Sequence, residues 1–270
     1  MTAMAAQPLL KLESVEVVYK RAITAVQGIS LDVAAGQIVA ILGTNGAGKT
    51  TTLRAISGFL GLDDARVTEG AILYKGAPIQ NARPDAVARA GLVLVPERDK
   101  VFPNLTVAEN LIVPASRVTA AMRRQREALV MERFPVLARL SKRTAGLLSG
   151  GERQMLAIAS ALVAHPDVLL IDELSLGLAP VVVSELAETL VAIRHDLQLT
   201  IVLVEQSAAV ALSIADYGYV LENGRVVLDG TAERLRNHPE IQDFYLGQSS
   251  GTRRSYRDVK QYRRSRRWYG

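Results

Sequence analysis

The feature that most constrains the fold is a glycine-rich stretch between a strand-like run and a helical pattern. Residues 37–42 read QIVAIL, residues 43–50 read GTNGAGKT, and a helical pattern runs from Lys49 to about Leu60. This order fills every position of the phosphate-loop pattern in the strand-to-helix context that the motif requires. The alternative is a glycine-rich turn that binds no ligand, but such a turn would not need every position of the pattern to be filled. The sequence therefore predicts an α/β fold, in which a phosphate-loop nucleotide-binding core with a mixed sheet carries an inserted helical subdomain.

Each part of the motif has a chemical reason. Glycines at 43, 46 and 48 let successive backbone N–H groups turn inward around phosphates without a Cβ in the way. Lys49 is predicted to neutralise the β and γ phosphates, and the Thr50 hydroxyl is a predicted Mg²⁺ ligand. The predicted nucleotide-binding residues of this stretch are Gly43, Thr44, Asn45, Gly46, Ala47, Gly48, Lys49, Thr50 and Thr51.

A second stretch supplies acidic groups. Residues 168–171 are apolar and predict a buried parallel strand, with Asp172 at its carboxyl end and Glu173 next. Asp172 is a predicted Mg²⁺ ligand, and Glu173 is predicted to orient the attacking water or accept its proton. A pair of helix-capping acids is the alternative interpretation of the same two residues.

The segment Leu148-Ser149-Gly150-Gly151-Glu152 resembles the signature of ATP-binding cassette (ABC) ATPases. Ser149 and Glu152 predict a capping box at the start of an apolar-periodic helix, whose positive end suits an anion. The resemblance implies that Ser149, Gly150 and Gly151 contact the γ phosphate of ATP held by another subunit. It therefore implies ATP and Mg²⁺ as cofactors and a second ABC ATPase subunit as partner.

Three further positions take their predicted roles from the resemblance. Tyr19 stands where the family stacks an aromatic ring on adenine, although a surface tyrosine at a strand end is the alternative. Glu97 stands where most members place a glutamine that senses Mg²⁺, and Gln206 where most place a histidine that contacts the γ phosphate. We assign Glu97 to the metal site and Gln206, with Lys49 and Glu173, to catalysis.

The departures at Glu97 and Gln206 resemble one branch, the second ATPase of branched-chain amino-acid importers, and the match runs from about residue 9 to 247. This resemblance implies an ATP-hydrolysing importer subunit held peripherally at the cytoplasmic face of the plasma membrane. Its implied partners are permease subunits, a different second ATPase and, indirectly, an extracellular substrate-binding protein. Relatives that import urea or short amides, and a soluble ABC switch protein acting on nucleic acid, are the alternatives.

The predicted organisation is one nucleotide-binding domain over residues 1–248. Its α/β core comprises about 1–96 and 163–248, and a helical subdomain is inserted at about 97–162. Helices are predicted after a Thr106–Glu109 capping box, over about 122–140 and over about 180–197. Asn223-Gly224 predicts a hairpin over 217–230.

Residues 249–270 form a basic tail. Between residues 253 and 267 it carries a net charge of +7, whereas the whole chain of 270 residues carries +5. Interspersed aromatic residues make anionic lipid the predicted partner, with single-stranded nucleic acid less favoured and a solvated tail without a partner as the alternative. The sequence contains no run of eighteen apolar residues, so it predicts no membrane-spanning helix.

Overall fold

The strands form two sheets. A computed structural model describes residues 7–98, 100–114 and 118–244. A sheet of order β2-β1-β4-β5 is antiparallel, and a second sheet of order β10-β9-β3-β8-β7-β6 is parallel except for the β9–β10 pair. The strands are β1 (Leu10–Tyr19), β2 (Ile23–Val33), β3 (Ile38–Gly43), β4 (Ala65–Tyr74), β5 (Ala77–Pro78), β6 (Leu92–Val95), β7 (Val168–Asp172), β8 (Thr200–Glu205), β9 (Tyr217–Glu222) and β10 (Arg225–Thr231).

Helices flank the mixed sheet, and those from α3 to α6 lie in sequence between β6 and β7. The helices are α1 (Lys49–Ser57), α2 (Pro84–Ala90), α3 (Val107–Ile112), α4 (Ala120–Arg133), α5 (Pro135–Arg139), α6 (Gly150–Val163), α7 (Pro180–Leu197), α8 (Ala208–Ile214), α9 (Ala232–Arg236) and α10 (Pro239–Phe244). The predicted α/β class, with a mixed sheet and added helices, is confirmed.

The central strands divide the interior into two cores because successive side chains of a strand point to opposite faces. On β3, Val39 and Ile41 pack with α1 and the antiparallel sheet. Ile38 and Leu42 of the same strand pack with α6, α7 and α8. Since β3, β7 and β8 are buried on both faces, their sequences are nearly continuous apolar runs.

Strand order brings four separate segments to one edge of the sheet. The neighbouring strands β3, β8, β7 and β6 are parallel, and their carboxyl ends lead into the phosphate loop, Gln206, Glu173 and Glu97 respectively. The register pairs Leu42 with Glu205 across β3 and β8. Ligand sites of open α/β sheets lie at such carboxyl ends.

Two helix boundaries differ from the sequence prediction. Helix α1 ends at Ser57 rather than near Leu60, because Gly58 takes a left-handed conformation (φ 81°) and caps it. The helical stretch predicted at about 122–140 consists of α4 and α5, which meet at Phe134, since Pro135 cannot continue the hydrogen-bond ladder of α4. Helix α7 has the predicted bounds.

The capping box at Thr106 and Glu109 and the hairpin turn at Asn223-Gly224 are confirmed. Within residues 7–98, 100–114 and 118–244, no helix has both the length and the apolarity needed to cross a bilayer. The basic tail at 249–270 lies outside the described residues.

Candidate phosphate-loop site

The phosphate loop is braced by the turn between β9 and β10. Gly224 donates its N–H to Ala47 O at 3.0 Å, and its own carbonyl accepts from Gln27 N at 2.7 Å. Gly48 has φ 100°, and a Cβ there would lie 2.9 Å from Ala25 O. Glycine is therefore required at 48 by both backbone conformation and space.

Lys49 occupies the centre of the loop. Its side chain is 6% exposed, and its ammonium donates to Gly43 O at 3.0 Å and Thr44 O at 3.3 Å. The same nitrogen lies 3.7 Å from Glu173 Oε1. The structure thus places the predicted phosphate-neutralising cation beside the predicted catalytic carboxylate.

Thr50 and Asp172 come together across the strand edge. Thr50 Oγ1 donates to Asp172 Oδ1 at 3.1 Å, and Asp172 is 5% exposed. Burial raises the pKa of Asp172; the Thr50 hydrogen bond opposes this shift, while the negative charge of Glu97 adds to it. Glu97 itself pairs with Arg98 at 3.2 Å and is 29% exposed, so it lies at the rim of the same site.

The donor set at this point fits Mg²⁺. A hydroxyl and a carboxylate oxygen are hard ligands, and Mg²⁺ is commonly bound through one or two carboxylates together with substrate phosphates and water. Across the described part of the chain, no group of three or more His, Cys, Asp or Glu side chains is arranged to hold a metal. A bound ion would therefore take its remaining ligands from the nucleotide and water.

Glu173 lies directly after β7 with an unusual backbone. Its φ is 61°, in the left-handed region, and its N–H donates to Val204 O at 3.0 Å. Burial, followed by the neighbouring Glu205 carboxylate, raises the pKa of Glu173 to about 7. A carboxylate with a pKa near the working pH is suited to accept a proton from water.

Gln206 contributes its backbone to this arrangement. Its N–H donates to Glu173 Oε2 at 3.4 Å, while the residue as a whole is exposed. The residue before it, Glu205, is the last residue of β8 and is fully buried. Glu205 has no role in the sequence prediction, although an acid after four apolar strand residues is a visible signal in the sequence.

Lys100 is a second residue near the site that has no role in the sequence prediction. Its ammonium donates to Gln154 Oε1 on α6, and burial lowers its pKa, with nearby Glu97 opposing this shift and Arg153 adding to it. Lys100 thus links the segment after Glu97 to the helix that follows the signature. It stands in a loop without a local pattern, so the sequence offered no signal for this contact.

Tyr19 stands at the end of β1, beside the first turn of α1. Its hydroxyl lies 3.3 Å from Thr51 Oγ1. This contact brings the predicted adenine-stacking ring next to the predicted nucleotide-binding residue Thr51. The partly buried ring is therefore close to the phosphate loop rather than on a remote surface.

The signature forms a separate part of the surface. Ser149 caps α6 by accepting from Glu152 N, and Glu152 Oε2 accepts from Ser149 N at 2.7 Å, so the predicted capping box is confirmed. Ser149, Gly150 and Gly151 line an open groove of about 750 Å³ with α4, α5 and α7. Among the described residues that line this groove, none belongs to the phosphate loop. Ser149 and Gly150, at the start of α6, are exposed.

The fold and the site together define an α/β protein of the phosphate-loop nucleotide-binding class. The family model described as "ABC transporter" matches residues 26–175, and the chain belongs to this family. Members of this family bind ATP and Mg²⁺. The predicted resemblance is thereby confirmed, and the chain is an ABC-type transport ATPase.

Transport proteins are among the curated relatives. The chain is 38% identical over 239 residues to the high-affinity branched-chain amino acid transport ATP-binding protein BraG of Pseudomonas aeruginosa, covering 88% of this chain and 100% of BraG. It is 39% identical to the probable branched-chain amino acid transport ATP-binding protein LivF of Archaeoglobus fulgidus, covering 81% and 91%. BraF of the same Pseudomonas is 32% identical and covers 83% and 92%.

Solved cassettes share the fold. One is an ATP-binding cassette of an ABC transporter in its ADP conformation, with a TM-score of 0.76, 25% identity and coverage of 89% of this chain and 99% of that one. Another is a dimeric cassette in a post-hydrolysis state bound to ADP and phosphate, with a TM-score of 0.72, 25% identity and coverage of 83% and 98%.

Proposed function

We propose that this chain is the ATP-hydrolysing subunit of an importer for branched-chain amino acids. The observation that carries the proposal is the meeting of Lys49, Thr50, Asp172 and Glu173 at one sheet edge, in a chain 38% identical to BraG. The names of the relatives favour this cargo over urea or amides. They also favour transport over a nucleic-acid switch.

The residues at this sheet edge, together with Tyr19, bind the nucleotide and the metal ion and hydrolyse ATP. The loop from Gly43 to Thr51 binds the phosphates, with Lys49 neutralising them, while Tyr19 stacks on adenine. Thr50 and Asp172 hold Mg²⁺ with Glu97 at the rim, and the ion supplies neutralisation of the charge that develops on the phosphates. Glu173 orients the attacking water and accepts its proton, beside Gln206.

The signature requires a partner subunit. Ser149, Gly150 and Gly151 present an exposed helix start, which would face the γ phosphate of ATP on a second ATPase. Two observations support a partner: one solved cassette is dimeric, and BraF and BraG of one bacterium are both similar to this chain. We propose a heterodimer of this chain with a different ATPase.

The assembly would lie peripherally at the cytoplasmic face of the plasma membrane. The inserted helical subdomain, about 97–162, would contact permease subunits, and the α/β core, about 1–96 and 163–248, would carry the nucleotide. A substrate-binding protein would act indirectly from outside. The basic tail at 249–270 would contact anionic lipid.

The test is ATP hydrolysis by the purified chain, alone and reconstituted with candidate permeases. Turnover should rise with the cognate permease and collapse in Glu173→Gln. Glu69→Gln is the matched control, since it neutralises an exposed glutamate on β4 and should keep turnover. ATP turnover that is stimulated by nucleic acid but by none of the permeases would refute the proposed importer function. Uptake of urea rather than leucine by the reconstituted complex would refute the cargo.

A further inference from the structure

A buried carboxylate beside the site makes hydrogen bonds that the roles assigned above do not use. Glu205 is the last residue of β8, the strand between the phosphate-loop strand β3 and the Asp172 strand β7. It is fully buried, and it follows a run of apolar residues. A buried ionisable group is costly unless its hydrogen bonds are made, so its partners indicate what it does.

Glu205 holds the turn that follows Glu173. Its Oε1 accepts the backbone N–H of Leu174 at 2.7 Å and that of Ser175 at 2.8 Å. Its Oε2 accepts from Ser175 Oγ at 3.0 Å and from Ser207 N at 3.4 Å. Both oxygens therefore act as acceptors, and three of the four donors belong to the two residues directly after Glu173.

The turn held in this way includes a backbone conformation that a glutamate does not adopt by preference. Glu173 has φ 61°, and left-handed backbone is unfavourable for residues other than glycine. Such a conformation persists where the surroundings over-determine it. Here the N–H of Glu173 is bound by Val204 O, and the next two N–H groups are bound by Glu205.

The result at the site is a fixed direction for the Glu173 side chain. Its two carboxylate oxygens lie 3.7 Å from Lys49 Nζ and 3.4 Å from Gln206 N. A displacement of about 1 Å in a reacting group can cost on the order of a hundredfold in rate. A group that fixes the backbone of Glu173 therefore has a direct influence on turnover.

We propose that Glu205 is a positioning residue for ATP hydrolysis, which fixes the turn at 173–175 and so directs the Glu173 carboxylate at the phosphate loop. This inference rests on the role proposed above for Glu173. Glu205 acts through Glu173 and does not contact the nucleotide itself. The same carboxylate anchors the start of the loop that continues to Gly177 and Leu178, whose side chain packs beside Gly150 of the signature.

The test compares Glu205→Ala and Glu205→Gln with the wild type in steady-state ATP hydrolysis, equilibrium ATP binding and thermal unfolding. Glu205→Ala should lower kcat roughly ten- to hundredfold, because the turn is released. The Kd for ATP should stay within about twofold, since the phosphate loop is intact. Glu205→Gln should recover part of kcat, because its amide oxygen can still accept from Leu174 and Ser175.

Asp216→Asn is the matched control. Asp216 also holds strand backbone through its carboxylate, accepting from Ile38 N at 2.8 Å, but at the opposite end of the sheet. This variant should lower the melting temperature and leave kcat unchanged. If Glu205→Ala does not fold, Ser175→Ala removes one donor to the same carboxylate, and it should lower kcat without changing the Kd for ATP.

A double variant separates positioning from general stability. In Glu173→Gln, adding Glu205→Ala should cause no further loss of kcat, because residues that act as a unit are not additive. A further loss equal to that of Glu205→Ala alone would overturn the proposal, as would an unchanged kcat in Glu205→Ala. Full turnover in Glu173→Gln would instead refute the proposed role of Glu173.

Discussion

The two capping boxes allow the proposed nucleotide contact of Ser149 to be separated from its role as a helix cap. Ser149 Oγ accepts from Glu152 N at 3.3 Å, and Thr106 Oγ1 accepts from Glu109 N at 3.2 Å. In both boxes the glutamate returns a 2.7 Å bond to the backbone N–H of the cap. Removing either hydroxyl therefore breaks the capping bond, and at Thr106 it also removes a 2.7 Å bond that Thr106 Oγ1 donates to Glu109 Oε2.

Both Ser149→Ala and Thr106→Ala should destabilise the protein by about 1 kcal/mol, the usual cost of losing a cap. For a domain of this size that loss lowers the melting temperature by about 2–4 °C. Only Ser149→Ala should lose turnover, because its exposed hydroxyl would also bind the γ phosphate. A hydrogen bond to a charged group contributes about 1.5–3 kcal/mol, which corresponds to a loss of roughly ten- to hundredfold.

The assay is phosphate release per subunit at saturating ATP and at protein concentrations where the rate no longer rises, with scanning calorimetry on the same samples. Thr106→Ala should retain turnover within about twofold, as expected for a substitution away from the site. Equal losses of turnover in the two variants would refute the reasoning. They would mean that Ser149 acts only through helix stability.

Three further predictions concern the phosphate-loop site. Gly48→Ala should abolish binding of a fluorescent ATP analogue, because its Cβ would meet Ala25 O at 2.9 Å and φ is 100°; retained affinity would contradict this. In buffer free of metal and nucleotide, wild type should lose about 3 kcal/mol of stability relative to Glu173→Gln as pH rises from about 4.5 to 8. Folding raises the pKa of Glu173 from 4.5 to about 7, so in this pH range the folded state binds more protons than the unfolded state and loses stability as pH rises. A difference in unfolding free energy between the two proteins that stays constant with pH in urea unfolding would refute this prediction. Gln206→His should change kcat less than Glu173→Gln, because the present contact of Gln206 with Glu173 is through backbone N–H; comparable losses of turnover would count against it.

Short-range sequence patterns account for the features of the fold and site that could be predicted from the sequence. The phosphate loop, the signature cap and the Asn223-Gly224 turn each depend on residues within about eight positions of one another, so their chemistry is readable from spacing. The errors at the helix ends had equally local causes. Gly58 directly follows the last residue of α1, and Pro135 stands two residues after the last residue of α4.

Contacts made by strand order could not be predicted in the same way. Glu205 binds residues 30 and 31 positions before it, and these become neighbours only because β8 lies beside β7. Lys100, in the loop after β6, reaches Gln154 on α6 through tertiary packing, 54 positions along the chain. No periodicity or motif records such pairs in a single sequence, since they are consequences of the assembled sheet.

The turn at Asn223 and Gly224 also bears on how this chain could be re-engineered. Hairpin tips are ordinarily the places where tags, inserted domains and new chain ends are tolerated. This tip is wedged between the phosphate loop and β2, and a Cβ at Gly224 would already lie 2.6 Å from Ala25 O. A reporter domain inserted at this turn, or new chain ends made here by circular permutation, would therefore disturb the phosphate loop instead of lying harmlessly on the surface.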